Sequence, residues 1–329
     1  MENTMTTAMS PSVKEPKPNK FFSLPLLKQS IKAHWLLLVI CTGAMSALIS
    51  IINIVVGSNS LFTQINMDNA NAYMAAEGLD WLKVLGLFQT MGFGLNRLAV
   101  MSNLDMTTVL NSLIYTIATT ILPMIYLIIV SNSLIAGQVD NGSMAYVLST
   151  PTNRKKVVFT QALFLFGSII AMYIVVTGFA VLSDYLGYRD RAIPLRTFLL
   201  NLGSLCVMLA LAGIAFMGSC LFNRSKDSIA LGGGFAVWCF LASVLGLFGT
   251  KTFVSIGVGV SAMNIFNYMT ITSLFMTDSI DAFSKWTVGQ ADWAISSLNW
   301  IYGLVALLVI AGVCTAIGMI RFQKKDLPL

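Results

Sequence analysis

Charged residues are scarce in this sequence. Asp, Glu, Lys and Arg together make up 10% of its 329 residues, whereas a soluble domain carries about 25%. Hydrophobic residues reach 56% of the chain. This composition excludes an ordinary water-soluble globule. It also excludes an intrinsically disordered chain, which combines low hydrophobicity with high charge.

Residue types that carry catalysis are equally sparse. The chain has one histidine, His34, and five cysteines that form no CxxC pair, so it offers few ligands for metal or proton chemistry. The sequence contains no Gly-x-x-x-x-Gly-Lys-[Ser/Thr] phosphate loop. The run Gly232-Gly233-Gly234 lies inside an apolar window, where close helix packing or a kink explains it better than phosphate binding. We therefore expect no enzyme activity, no metal and no cofactor in this chain.

The few charges lie in clumps and leave long windows without any. Each window exceeds the ~20 residues with which a helix crosses a bilayer core of ~30 Å. The windows are continuously apolar, which excludes the alternating pattern of a membrane β-barrel. They predict an all-α polytopic membrane protein. Its six transmembrane helices are expected at about 35–56, 107–133, 157–182, 197–222, 228–249 and 297–320.

The distribution of lysine and arginine sets the expected orientation. With both termini in the cytoplasm, thirteen of the twenty cations lie inside and seven outside. Residues 1–20 then form a disordered cytoplasmic tail, and 21–329 form a single transmembrane domain. The basic residues flank the spans and form no separate basic patch, so the lipid bilayer is an expected partner and nucleic acid is not.

Two long external loops follow from this topology, at 57–106 and 250–296. The second loop contains another charge-free window, 252–277. A seventh span there would place the C-terminal cations outside, against the rule that cations stay inside. We therefore expect a re-entrant or interfacial segment before the last span, with its backbone covered by protein.

An amphipathic helix is predicted just before the first span. Ser23 and Pro25 favour a helix start. An apolar row beside a row of lysines is typical of a helix that lies in the cytoplasmic interface, with its lysines among anionic headgroups. The alternative is a plain extension of the first span. The residues concerned are Leu27, Lys28, Ile31, Lys32 and Trp35.

The cytoplasmic loop 138–156, between the second and third spans, is the most informative stretch. Its Asn-Gly pair permits a sharp bend, the following serine can cap a short helix, and the proline disfavours helix at the residue before it. A short, partly apolar helix at the cytoplasmic face suits docking into a groove on a soluble partner. The residues that define the pattern are Asp140, Gly142, Ser143, Tyr146, Leu148, Pro151 and Arg154.

This loop resembles that of the integral membrane subunits of ABC-2 type transporters, the permeases of bacterial ATP-driven exporters. Their loop reads acidic residue, Gly-Ser or Gly-Thr, short apolar helix, Leu-Ser-x-Pro, Ser or Asn, and Arg, and residues 140–154 match in order. The C-terminal segment 321–329, an aromatic followed by basic residues and Asp-Leu, also resembles the family ending. The resemblance covers roughly 21–329. Gln161 departs from it, because many members have lysine there.

The resemblance implies a permease subunit in the bacterial cytoplasmic membrane, paired with a second permease subunit as a homo- or heterodimer. ABC ATPase subunits would bind ATP and Mg²⁺ and dock on a coupling helix within 140–155. Since the predicted spans contain no ionisable residue, they suit an amphipathic cargo such as a peptide, drug or lipid. The alternative is a non-transporting accessory or immunity protein that sequesters a toxic peptide. A secondary carrier is disfavoured by the same lack of intramembrane charge.

Overall fold

Long helices dominate the structure of the chain, a computed structural model. The structure describes residues 23–57, 106–149, 153–187, 192–249, 260–275, 277–287, 289 and 298–325, and these contain no strand. The α-helices are α1 (Leu24–Gly57), α2 (Met106–Leu134), α3 (Ala136–Asp140), α4 (Ser143–Ser149), α5 (Arg154–Gly187), α6 (Ala192–Leu221), α7 (Ser225–Leu247), α8 (Ile265–Tyr268), α9 (Thr277–Thr287) and α10 (Asn299–Lys324). Two 3-10 turns lie at Ser261–Asn264 and Ile271–Leu274.

Five of these helices, α1, α5, α6, α7 and α10, are long and apolar enough to cross a membrane. Their sequences coincide with charge-poor stretches, in which a helix satisfies its own backbone hydrogen bonds without water. The predicted second span falls on α2, a helix of 29 residues. The part of α2 whose side chains are described, Thr119–Leu134, is apolar. The helical membrane fold is thus confirmed, while the count of six spans stays a prediction.

Large apolar side chains cover the outside of the bundle. Ile40 on α1, Ile174 on α5 and Val309 on α10 are each more than half exposed. A soluble protein rarely exposes extensive apolar patches, whereas lipid tails accommodate them. The surface therefore agrees with a multi-pass membrane protein.

Helix α6 lies at the centre of the bundle, where it contacts α2, α5, α7, α9 and α10. Small residues allow this close packing. A Cβ atom on Gly213 of α6 would lie 2.6 Å from the carbonyl oxygen of Ala311 on α10. A Cβ on Gly232 of α7 would lie 2.8 Å from the Cα of Ala215 on α6. The glycine run that begins at Gly232 therefore starts at a close helix contact, as its sequence context indicated.

Several helices extend beyond the predicted spans, among them α1 and α5. Helix α1 runs without a break from Leu24 to Gly57, so the predicted amphipathic helix is not a separate element but continues into the first span, as the alternative expected. Lys28 and Lys32 are exposed and do not end the helix, because lysine is a good helix former. Helix α5 continues to Gly187, beyond the predicted end at 182, and Asp184 lies on it.

The predicted re-entrant window is described from residue 260 to 275. This part consists of the two 3-10 turns and α8, and no helix of spanning length occurs in it. Glycines make room for it on the bundle, since a Cβ on Gly203, Gly246 or Gly303 would collide with Phe275, Asn267 or Leu274, respectively. Its re-entry into the membrane stays a prediction. The predicted tail 1–20 and the loop 58–105 lie outside the described residues.

Candidate coupling site

The loop that carried the sequence signal is two short helices joined at a sharp bend. Helix α2 ends at a break around Ile135, whose φ of −129° and ψ of −65° are not helical. Helix α3 follows and ends at Asp140. Gly142 then adopts a φ of 71°, in the left-handed region that glycine enters at no steric cost. The bend predicted from Asn141-Gly142 is therefore present, and it turns the chain into α4.

Helix α4 presents one side to the bundle and one to the outside. Met144 is fully buried, Val147 is half-buried against the core, and Tyr146 is 81% exposed. Ser143 is the first residue of α4, and its hydroxyl donates to the carbonyl oxygen of Gln138 at 3.2 Å. It therefore fastens α4 to α3, a different role from the helix cap expected from sequence. The side chain of Leu148, and Pro151, lie outside the described residues.

Asp140 contacts its own chain at the first turn of α7. Its carboxylate oxygen Oδ2 accepts a hydrogen bond from the backbone N–H of Ser225 at 3.2 Å. This N–H is one of the four that a helix start leaves unpaired, and Arg224, the residue before it, gives no side-chain cap. Asn132 of α2 donates to the Ser225 hydroxyl at 2.6 Å. An anion at a helix N-terminus is favourable, so Asp140 stabilises the start of α7.

Arg154 contacts the C-terminal end of the described chain. Its guanidinium donates to the backbone carbonyl of Lys325 at 2.9 Å, across 171 residues of sequence. The Lys325 ammonium in turn donates to the carbonyl of Cys220, in the last turn of α6, at 3.2 Å. Burial lowers the pKa of Lys325. The structure thus brings together the loop and the C-terminal segment that resembled the same family in sequence.

A cleft of about 520 Å³ lies between the start of α1 and the α3–α4 pair. Tyr146 and Val147 of α4 form one side of it, and Leu26 and Gln29 of α1 form the other. Gln138 and Ser143 add polar groups to the α3–α4 side. The cleft therefore combines apolar and hydrogen-bonding surface and includes the exposed Tyr146 of α4.

The start of α1 is held against α5 by polar contacts. The Ser23 backbone N–H donates to the Thr160 hydroxyl at 3.0 Å, and the Ser30 hydroxyl donates to the Gln161 side-chain oxygen at 2.9 Å. Both Ser30 and Gln161 are buried. A neutral glutamine is compatible with this buried place, where a charged group is costly unless paired. Gln161, where many family members have lysine, therefore has a hydrogen-bond partner in Ser30.

The predicted interfacial residues lie mostly on the outer side of α1. Ile31 and Trp35 are about half exposed, Lys28 and Lys32 are exposed, and Leu27 is half-buried against the core. Leu26 and Ser30 form the buried side of the same turns. This distribution agrees with an amphipathic start of α1. Its placement in a membrane interface stays a prediction.

A family comparison now bears on the whole chain. The family described as ABC-2 family transporter protein matches residues 27–327. The match includes the bundle, α4 with its flanking contacts, and α10. The chain belongs to the ABC-2 transporter family. The permease has no match among curated proteins. The family expected from loop 140–154 and the C-terminal segment is thus confirmed, and a general transport role in an ABC system with ATPase partners follows from it.

One buried polar cluster of the permease was missed by the sequence analysis. Asp184, near the C-terminal end of α5, is buried, and its Oδ2 has no hydrogen-bond partner among the described residues. Asn53 of α1 donates to the adjacent Ser183 hydroxyl at 3.1 Å. The expectation that the spans hold no ionisable residue therefore needs correction, because Asp184 had been placed in a loop. Asn53, in the middle of an apolar run, was the available signal for a polar contact there.

Proposed function

We propose that the permease forms the translocation pathway of an ATP-driven exporter as a dimer and that ATPase subunits dock on α4. In this proposal it lies in a bacterial cytoplasmic membrane with both termini in the cytoplasm. The observation that carries the proposal is the exposed side of α4, with Tyr146 at its centre, beside the cleft between α4 and α1. Membership of the ABC-2 family supports the ATP-driven part.

The geometry of α4 suits the transmission of force. A docking helix needs an outward side for its partner and an inward side that carries its displacement into the bundle. Tyr146 supplies the first, while Met144 is fully buried and Val147 packs against the core. Since packed side chains resist compression, a push on Tyr146 moves the residues beneath it. Closure of the ATP sites in the partner would supply that push.

The cleft gives the partner a second point of contact. An ATPase segment that contacts Tyr146 would reach Gln29 of α1 and Gln138 of α3 in the same cleft. Amide side chains donate and accept hydrogen bonds, and so hold a polar segment in one orientation. The proposed dock is therefore formed by α1, α3 and α4 together.

The proposed cargo and the dimer are supported by the apolar character of the bundle. Exposed apolar side chains on α1, α5 and α10 form surfaces that lipid, a second permease subunit or an apolar cargo can cover. The buried Asp184 departs from the apolar character of the bundle, and in the proposed orientation it lies near the outer end of α5. A cargo with a large apolar part and a limited polar part, such as a peptide, drug or lipid, fits this distribution.

The test is a comparison of Tyr146→Ala with Tyr268→Ala. Tyr268 of α8 is 83% exposed, so it matches Tyr146 in residue type and exposure. We expect Tyr146→Ala to weaken co-purification of the ATPase subunits and to reduce their ATP hydrolysis in the assembled complex, and Tyr268→Ala to leave both unchanged. Removing 142–153 should abolish assembly. If that deletion left ATPase binding and stimulation intact, docking on α4 would be wrong.

A second experiment separates transport from sequestration. An accessory or immunity protein would protect cells against a toxic peptide in the absence of the ATPase. An exporter subunit protects only when the ATPase is present. Resistance measured in an ATPase-deficient strain that expresses the permease therefore decides between the two, and protection in that strain would contradict the proposal.

A further inference from the structure

The helix ends on either side of the short turn between α6 and α7, residues 222–224, are contacted from both flanks of α4. The flank before α4 consists of α2 and α3, and the flank after it begins with Arg154 of α5. Each flank reaches the helix ends at this turn through hydrogen bonds between residues far apart in sequence. This arrangement carries an inference that rests on the proposed docking of the ATPase on α4 and goes beyond it.

The contacts before α4 reach both helices of the turn. At the break after α2, the backbone N–H of Ala136 donates to the hydroxyl of Ser219 on α6 at 2.9 Å, and both residues are buried. Four residues later, Asp140 accepts from the N–H of Ser225 at the start of α7. The α3 segment is therefore bonded to the end of α6 and to the beginning of α7.

The contacts after α4 reach α6 through the C-terminal end of α10. Arg154 donates to the Lys325 carbonyl, and the Lys325 ammonium donates to the Cys220 carbonyl. Cys220 is next to Ser219, so the two flanks of α4 meet neighbouring residues of α6. The Cys220 carbonyl belongs to the last turn of α6, whose acceptors have no partner within the helix.

The charges at this turn complement the helix dipoles. A carboxylate, that of Asp140, lies at the N-terminus of α7, and an ammonium, that of Lys325, lies at the C-terminus of α6. Anions are favourable at helix N-termini and cations at helix C-termini. Both contacts therefore oppose separation of α4's flanks from the turn.

We propose that the α6–α7 turn receives the movement of α4, with Asp140 and Lys325 as the positioning residues that connect them. Helix α6 is the most buried spanning helix and contacts α2, α5, α7, α9 and α10. A displacement of its cytoplasmic end is therefore passed to most of the bundle. In this account Asp140 acts on the turn of its own chain, whereas the family resemblance alone placed it in the ATPase contact.

The experiment follows two spin-label distances in the permease assembled with its ATPase subunits in nanodiscs. Both distances start from a label at Trp35→Cys on α1, which packs against α2 and α5. One ends at Ser149→Cys at the end of α4 and the other at Ile229→Cys on α7, all three sites being exposed. The native cysteines are replaced beforehand. Samples without nucleotide are compared with samples trapped by ATP and vanadate.

In the otherwise unchanged permease, both distances are expected to shift when ATP is trapped. In Lys325→Ala and Asp140→Ala, the α4 distance should still shift while the α7 shift is reduced. The α7 shift should be lost in the variant that combines Lys325→Ala with Asp140→Ala. Asp140→Asn keeps an oxygen acceptor and should retain part of the α7 shift. Lys324→Ala, an exposed lysine one position earlier, is the charge-matched control and should behave as the unchanged protein.

A backbone variant tests the same contact without removing a charge. Ser225 is the first residue of α7, a position where proline is tolerated, and Arg224 before it is already extended at φ −97° and ψ 135°, as proline requires. Ser225→Pro deletes the N–H that donates to Asp140, whereas Ser225→Ala deletes only the hydroxyl. We expect a smaller α7 shift in Ser225→Pro than in Ser225→Ala.

The outcomes separate the two proposals. If the α4 distance shifts but the α7 shift is the same in the double variant, in Ser225→Pro and in the unchanged protein, the role of the turn is wrong and docking on α4 stands. If the α4 distance does not shift in the unchanged protein, docking on α4 is wrong and the inference about the turn falls with it.

Discussion

Helices α6 and α1 differ most in how they are surrounded. In the apolar window of α6, 72% of the residues are buried within the chain, against 17% in that of α1. Both have apolar sequences of spanning length, yet α6 packs against five helices and α1 chiefly against α2 and α5. Apolarity alone therefore does not decide position in the bundle. Small residues and polar contacts at specific helix turns decide that position.

The largest expected difference comes from one substitution made in both helices. Gly213→Ala on α6 places a Cβ 2.6 Å from the Ala311 carbonyl oxygen and 3.0 Å from its Cα, both backbone atoms. Overpacking of this kind costs about 1–3 kcal/mol. We expect a clearly lower unfolding temperature in detergent.

Gly43→Ala on α1 is the matched control. A Cβ there meets no described atom within 4 Å, so the variant should be neutral or gain about 0.5–1 kcal/mol from the better helix propensity of alanine. Equal melting temperatures for the two variants would contradict the central position of α6.

A smaller difference is expected from removing a serine hydroxyl in each helix. Ser219→Ala on α6 leaves the Ala136 N–H at the α2–α3 break without its buried acceptor. An unsatisfied buried donor costs about 1–3 kcal/mol. Ser46→Ala on α1 removes only a local bond to the Gly43 carbonyl and should change stability by less than about 0.5 kcal/mol. Thermal unfolding of both variants in detergent measures the difference, and a larger loss for Ser46→Ala would refute it.

The smallest effect concerns the attachment of α1 itself. Ser30→Ala removes the donor to the buried Gln161 oxygen, for an expected cost of about 0.5–1 kcal/mol. Adding Gln161→Met removes the other partner as well, and the double variant should recover most of that loss because no polar group is then left unpaired. A thermal-unfolding double-mutant cycle measures the coupling. An additive double variant would show that this bond does not hold α1.

The helical membrane fold was predictable because charge-free windows of sufficient length permit little else. The helix ends were not. Charges served as boundaries in the sequence, yet Lys28 and Lys32 lie within α1 and Asp184 lies buried on α5. A charged residue does not by itself end a helix, since lysine is a good helix former, so the spacing of charges does not locate the helix ends.

Only the local backbone structure of the coupling site was predictable from the sequence. Gly142 and the short α4 follow from turn chemistry. The contacts of Asp140 with Ser225 and of Arg154 with Lys325 join residues 85 and 171 positions apart. They depend on how α6, α7 and α10 meet, which is a property of the packed bundle. The sequence showed that these charged residues stand out, and the structure shows what they contact.

Photo-crosslinking from Tyr146 tests the central claim most directly. A photoreactive phenylalanine analogue is placed at position 146 on α4 or at position 268 on α8, two tyrosines of similar exposure. We expect a crosslink to an ATPase subunit from position 146 and not from position 268. Mass spectrometry identifies the crosslinked subunit as an ATPase by peptides that contain its phosphate loop. A complex that co-purifies with its ATPase yet gives that crosslink from 268, or from neither position, would contradict docking on α4.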